Sequence, residues 1–389
     1  MTLIIGRVNA GKTYIIGDTA LTLHNQAKSN AFVDGCLKQY IVNETLAIAF
    51  AGSQPHFESV CPQLLASVDT AEAVQVALTA QRGGLEFDLL VGETGSQSIS
   101  VVRDGVVSET VAGYIGDAFA FARFQQYYHD DKTTLVAEWD VGRASIQFLR
   151  LPEPVGEDEI YERLFNALKR VIWDSQVHSV GGVIVPLCMD QGRFRYLNYA
   201  DVTSDPLNID DVSEEPKAIQ FGTAAAGGYS IELNDDVAYG GDGRNIGFYF
   251  LQGGFGIVFP PNAQGLRAAR VVKANNPAYW VLETKNLLGY GIASAYMTAD
   301  HCGLAGEELL RSARYDHALF CYELRKDWKP LSPTSSVYDR YFAGYAIAMF
   351  NSGRRVDAVS LVTEILTKGT GGHRCRMALR DMEDATGRS

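Results

Sequence analysis

The first nineteen residues set two apolar runs around a polar turn. Thr2-Leu3-Ile4-Ile5 is rich in β-branched side chains, Asn9-Ala10-Gly11-Lys12 is polar, and Thr13-Tyr14-Ile15-Ile16 is again β-branched and aromatic. This pattern predicts a hairpin with strands over 2–8 and 13–19. A second strand pair is predicted over 36–42 and 45–51, closing on Gly52-Ser53. From 54 to 82 the spacing becomes helical, with Phe57, Val60, Leu64, Leu65 and Val68, then Ala71, Val74, Ala77 and Leu78. Strands return over 86–93, 97–103 and 106–114, with a turn at Asp104-Gly105. Gly116-Asp117 opens a helical run through Tyr128, and 131–156 reads as a short excursion. Ile160, Leu164, Leu168, Val171 and Ile172 mark a helix over 157–174, and strands 181–187 and 193–199 close the block. The order of strands, two helices, strands, two helices and strands predicts an α+β fold. Two antiparallel sheets would lie face to face with helices on both outer faces, in four αββα layers.

Residues 1–200 are therefore expected to form one domain. The stretch 201–217 (DVTSDPLNIDDVSEEPK) is acidic and Pro-bearing, and reads as a linker. A C-terminal α+β region over 218–389 is expected next. It is Gly-rich and strand-like over 218–290, then helical over 290–320 and 337–369, where apolar spacing around Ser352-Gly353 predicts a helical hairpin. The charged tail after Met377 is expected to fray.

Composition narrows the function. Hydrophobic residues make up 47% of the 389 and supply sizeable cores, while the net charge of −12 disfavours nucleic acid or an anionic membrane as partner. No apolar run reaches the length of a transmembrane helix. Met1 is followed at once by strand-like sequence, so no signal peptide is expected and the predicted location is cytoplasmic. Six cysteines and seven histidines are scattered without paired metal-ligand spacing, which predicts reduced thiols and neither metal nor cofactor.

Gly6 to Thr13 (GRVNAGKT) matches the phosphate-cradling P-loop pattern in full. That motif requires a helix to begin at its Lys-Thr, so that backbone N–H groups face the phosphates. Thr13-Tyr14-Ile15-Ile16-Gly17 predicts a strand there instead. Nucleotide binding through Lys12 stays open as an alternative, and a surface turn is the preferred reading.

Thr2 offers different chemistry. A small second residue permits removal of Met1, which leaves Thr2 with a free α-amine. An amine with a pKa of about 7.7–8.0 beside a hydroxyl supplies its own general base. A nearby ammonium would keep the amine neutral, a carboxylate would hold that ammonium, and a backbone N–H would receive the oxyanion.

Residues for these tasks occur in a recognisable order. Thr2-Leu3-Ile4-Ile5-Gly6, Ile15-Ile16-Gly17-Asp18-Thr19, Leu37-Lys38-Gln39-Tyr40-Ile41 and Leu46 through Ser53 follow one another. Ile115-Gly116-Asp117-Ala118 and Asp174 through Gly182 come later. Over residues 2–199 this resembles the proteasome β-subunit family and its bacterial relative, the two-component ATP-dependent heat-shock peptidase, both N-terminal nucleophile hydrolases. The resemblance implies Thr2 as nucleophile, Lys38 tuning its amine, Asp18 orienting Lys38, Gly52 lending the oxyanion N–H, and Asp174 and Ser179 supporting the amine. It also implies an apolar substrate pocket near Leu21, Cys36, Tyr40 and Phe50, a peptide or protein substrate, and a homo-oligomer. An ATPase or adaptor partner is left undefined.

The chain departs from the family pattern in three ways. Asp117 replaces a Ser, two extra residues precede Ser179, and the segment between Asp18 and Lys38 is longer. An acidic group beside the amine would raise its pKa. These departures support a second alternative, a catalytically silent scaffold or sensor.

Overall fold

The computed structural model describes residues 2–21, 35–130 and 159–203 (apart from Ser175, Gln191, Asn198 and Tyr199), then 228–234, 246–250, 255–259, 270–288, 299–324 and 336–387. The chain divides into two compact units, Met1–Val272 and Lys273–Ser389.

In the first unit, β1 (Leu3–Asn9) and β2 (Lys12–Asp18) form a hairpin with Asn9 opposite Lys12. The two turn residues both have positive φ, 47° at Ala10 and 77° at Gly11. That is the backbone of a type I′ turn, whose twist matches the flanking strands. β8 (Ala112–Gly116) pairs with β1, and β9 (Ile184–Asp190) pairs with β2 and β10 (Arg193–Tyr196). The resulting antiparallel sheet has the order β10-β9-β2-β1-β8.

A second antiparallel sheet follows chain order through β3 (Gln39–Ile41), β4 (Leu46–Gly52), β5 (Phe87–Glu93), β6 (Ile99–Arg103) and β7 (Val106–Thr110). α1 (Gln54–Leu65) and α2 (Thr70–Arg82) connect β4 to β5. Asp69 caps α2 by accepting from the Glu72 N–H. α3 (Ala118–Tyr128) follows β8, and α4 (Glu159–Trp173) precedes β9.

Three buried clusters account for the packing. The first combines Ile4, Ile15, Ile115 and Val185 of one sheet with Ala47, Ala49, Leu90 and Ile99 of the other. The second sets Ile48, Phe50, Leu89 and Val91 against Phe57, Leu64, Ala73 and Ala77 of α1 and α2. The third sets Leu3, Ile5, Tyr14 and Ile16 against Phe124 of α3 and Leu164, Leu168 and Val171 of α4. Alternation along β1 explains this division: Ile4 joins the first cluster while Leu3 and Ile5 join the third. Each fully buried Leu or Ile contributes about 1.5–3 kcal/mol.

A third sheet runs through β11 (Ala200–Thr203), β12 (Gly228–Asn234), β13 (Ile246–Phe250), β14 (Phe255–Phe259) and β15 (Arg270–Lys273). Its Phe248, Phe255, Ile257 and Phe259 belong to the first cluster. Of the stretch read as a linker, 201–203 lie in β11 and 204–217 fall outside the described residues, as does the excursion over 131–156. Within the Gly-rich stretch read as strand, Pro277–Leu288 is a helix, α5. Asn276 accepts from the Ala278 N–H at 2.7 Å, and Pro277 stands in the first turn, where its missing N–H is harmless.

The second unit contains α5 together with α6 (Ala299–Arg311), α7 (Tyr315–Glu323), α8 (Ser336–Asn351), α9 (Arg355–Thr367) and α10 (His373–Thr386). α6–α7 and α8–α9 turn alike, with Arg314 N–H to Leu309 O and Arg354 N–H to Met349 O both at 2.9 Å. The expectation of a fraying tail is corrected, because α10 continues to Thr386. Its start is held from α8 by Asp339, which accepts from the N–H groups of Gly372, Arg374 and Cys375 at 2.7, 2.9 and 3.0 Å. Ala378 and Met382 anchor its inner face.

Candidate active site

Hairpin register brings Asp18 at the end of β2 level with the start of β1, since Ile4 stands opposite Gly17. The next segment is tied to the same place. Ala20 bridges Gly35, and the Cys36 N–H donates to Thr19 O at 2.9 Å. Lys38 follows two residues later, immediately before β3, and the Phe50 N–H of β4 donates to its carbonyl at 3.0 Å.

Thr2, Asp18 and Lys38 meet there, at 3%, 0% and 3% exposure. Lys38 Nζ donates to Thr2 Oγ1 at 2.6 Å, to Ala20 O at 2.5 Å and to Asp18 Oδ2 at 3.2 Å. An ammonium has three N–H donors, and each here has an acceptor. The Thr2 hydroxyl in turn donates to Asp18 Oδ1. Backbone N–H groups of Leu3, Ala20 and Gly181 also donate to the Asp18 carboxylate, each at 3.2 Å. Asp18 is thus a buried carboxylate held by an ammonium, a hydroxyl and three amides, the condition under which burial of a charge pair is sustained.

The Thr2 carbonyl is held from the other side. The Asp117 N–H donates to it at 2.8 Å. Gly116 has φ of 101°, and a Cβ there would lie 2.0 Å from the Thr2 oxygen and 3.4 Å from the Ala51 Cβ. Glycine is required on both grounds. This contact sets the end of β4 beside Thr2. Gly52, the last residue of β4, is exposed and has φ of 115°.

Asp117 is the N-cap of α3. Its side chain accepts from the Phe119 and Ala120 N–H groups at 2.7 and 3.1 Å, and from the Ser179 hydroxyl. Burial pushes its carboxyl up, but these hydrogen bonds outweigh it and hold the group below the ordinary value.

Asp174 is engaged elsewhere. It accepts from Arg123 Nε at 2.6 Å, Tyr127 OH at 2.7 Å and the Gln176 N–H at 3.0 Å, clasping α3 to the end of α4. Burial raises its carboxyl, and the Gln176, Tyr127 and Arg123 bonds together bring it below the usual range.

Cys36, Tyr40 and Phe50 are buried in the cluster under α1 and α2, and Leu21 packs half-buried against it. Phe50 stacks on Phe57 with ring centroids 3.8 Å apart. Burial pushes the Cys36 thiol up to about 12 against the lowering pull of Lys38, so it is not a thiolate near neutral pH.

The structure therefore brings together Thr2, Asp18 and Lys38 directly, and Ser179 with Asp117. Participants not singled out in the sequence include Ala20 O, the Gly181 N–H, and the Arg123–Tyr127 pair. The first two are backbone groups without a side-chain signal. The cap at Asp117 did have one, an Asp directly before a helical run. The P-loop match resolves into the β1–β2 turn, and a strand rather than a helix follows Lys12-Thr13. Among the described residues no group of three or more His, Cys, Asp or Glu could hold a metal ion, and no helix is long and apolar enough to cross a membrane.

No family model matches the chain, and no curated protein sequence matches it. Among solved structures it is similar to eukaryotic HslV from Trypanosoma brucei, at 17% identity and a TM-score of 0.33, over 48% of this chain and 98% of that one.

Proposed function

We propose that this chain is a threonine-type N-terminal nucleophile amidohydrolase whose substrates are peptides or proteins. The observation that carries the reading is the shared hydrogen bonding of Thr2 Oγ1 with Lys38 Nζ and the Asp18 carboxylate, all buried. The three apolar clusters support a four-layer αββα arrangement beneath it.

Removal of Met1 frees the Thr2 α-amine. Thr2 Oγ1 then attacks the substrate carbonyl carbon, and its proton passes to that amine. The carbonyl electron pair moves onto oxygen, which the Gly52 N–H receives. Collapse of this intermediate breaks the C–N bond, the leaving nitrogen takes the proton, and an ester to Thr2 remains. Water, deprotonated by the same amine, hydrolyses the ester. Lys38, held by Asp18 and Ala20 O, lowers the basicity of amine and hydroxyl by its positive charge. An apolar substrate side chain docks against Leu21, backed by Cys36, Tyr40 and Phe50. Cytoplasmic location and a homo-oligomeric assembly complete the reading.

A second reading, a silent scaffold, draws on Asp117, whose carboxylate bonds Ser179 one residue from the Gly116 contact with Thr2. Hydrolysis of fluorogenic peptides with apolar residues before the scissile bond separates the two. The peptidase reading predicts turnover that Thr2→Val abolishes and Thr2→Ser partly retains. Absence of turnover in a chain shown to lack Met1 would favour the scaffold.

A further inference from the structure

Where β4 runs into α1, the β4–β5 ladder ends on a side-chain acceptor. Ser53 follows Gly52, and its N–H donates to Glu86 O at 2.9 Å. In a regular antiparallel ladder the Glu86 N–H would return a bond to Ser53 O. That carbonyl is turned into the helix instead: Ser53 is the N-cap of α1, and its oxygen accepts the Phe57 N–H at 3.0 Å. The Glu86 N–H donates to Nδ1 of His56, the third residue of α1, at 2.9 Å. Nδ1 is the acceptor, so the ring proton lies on Nε2.

Gly52 is pressed against the backbone that this bond holds. It pairs with Phe87, and a Cβ on it would lie 2.9 Å from Phe87 Cα and 3.0 Å from Glu86 O. Gln81 fixes the same backbone from α2, its Nε2 donating to Phe87 O at 2.6 Å. Because Ser53 and Glu86 form a hydrogen-bonded position, Gly52 and Phe87 form the non-hydrogen-bonded one, and the Gly52 N–H points away from β5. Its direction is set by how Glu86–Phe87 meets the first turn of α1, and His56 joins the two.

We propose that His56 is a positioning residue for the Gly52 N–H. The role rests on the hydrolase reading, in which that N–H receives the oxyanion, and His56 acts through Glu86 rather than on the reacting atoms. An oxyanion donor is worth most when charge develops on the carbonyl oxygen in the transition state. Loosening it therefore lowers kcat and leaves KM nearly unchanged.

The test is steady-state hydrolysis of a fluorogenic peptide by the full chain, with Thr2→Val as the blank. His56→Phe keeps the bulk of the ring without the acceptor, His56→Ala removes both, and His56→Asn retains an oxygen at the Nδ1 position. The Phe and Ala variants are expected to lose kcat on the order of tenfold to a hundredfold, with KM within about twofold of the wild type. His56→Asn should recover most of that loss. Hydrogen exchange read by mass spectrometry should be faster over residues 52–57 and 85–88 in the Phe and Ala variants, and as in the wild type in His56→Asn. An unchanged kcat in the Phe and Ala variants, a change in KM alone, a loss that His56→Asn does not recover, or unaltered exchange would overturn the role and leave the hydrolase reading standing. A wild-type chain without Thr2-dependent turnover would remove the hydrolase reading and this role with it.

Discussion

At the residue scale, the site is a hydroxyl shared between an ammonium and a carboxylate. Lys38→Ala leaves Asp18 as a buried, uncompensated charge, at a cost of about 3–5 kcal/mol, and should abolish peptide hydrolysis. Denaturant titration beside the peptidase assay separates the two effects. Lys12→Ala, at the start of β2 beside the exposed turn, should leave hydrolysis unchanged, and isothermal titration should find no nucleotide binding to lose. Asp117 supplies the pH prediction. A carboxylate near the Thr2 amine favours the ammonium and raises its pKa, and hydrolysis needs the neutral amine. Activity should therefore rise with pH through that pKa. Asp117→Ser, which removes the charge but keeps a capping oxygen, should move the rise to lower pH by about one unit. A pH–rate profile that does not move would remove the electrostatic role. For stability the sign is separate: the folded Asp117 carboxyl is depressed, so its contribution is present above the unfolded pKa of about 3.9 and is lost as pH falls through the folded value.

At the element scale, glycines set the close contacts. Gly116→Ala would place a Cβ against the Thr2 carbonyl in a left-handed backbone. Thermal unfolding should show a loss of at least about 3 kcal/mol. In α6 and α8, Gly306 and Gly344 receive the Tyr322 side chain, whose atoms lie 2.4 and 2.1 Å from where their Cβ atoms would stand. Either Gly→Ala change should destabilise the helices by about 1–3 kcal/mol. Much at this scale was legible. The β-branched apolar runs Thr2–Ile5 and Thr13–Ile16 around the Asn-Ala-Gly-Lys turn predicted the β1–β2 hairpin, and the helical spacing of Phe57, Val60 and Leu64 predicted α1. The misreadings have identifiable causes. α10 carries many charges, and the carboxylate that starts it lies more than thirty residues upstream, at Asp339. α5 was hidden among glycines and aromatics, although Asn276-Pro277 is a capping signal. Convergence of Asp18 and Lys38 was expected only through the family resemblance, whereas the capture of Asp174 by Arg123 and Tyr127 depends on how α3 meets α4.

At the scale of the whole molecule, three sheets and their helices make one unit and the remaining helices another, and catalysis is proposed only for the first. The homo-oligomer expected of the proposed peptidase is checked by sedimentation equilibrium, where a mass several times that of one chain is predicted. The central claim is that Thr2 becomes an activated N-terminal nucleophile. Intact mass spectrometry before and after incubation with an epoxyketone or β-lactone tests it most directly. The account predicts a chain lacking Met1 that gains a single adduct, mapped to Thr2 and absent in Thr2→Val. A chain that retains Met1, or one that lacks it and takes no adduct while remaining folded, would contradict it.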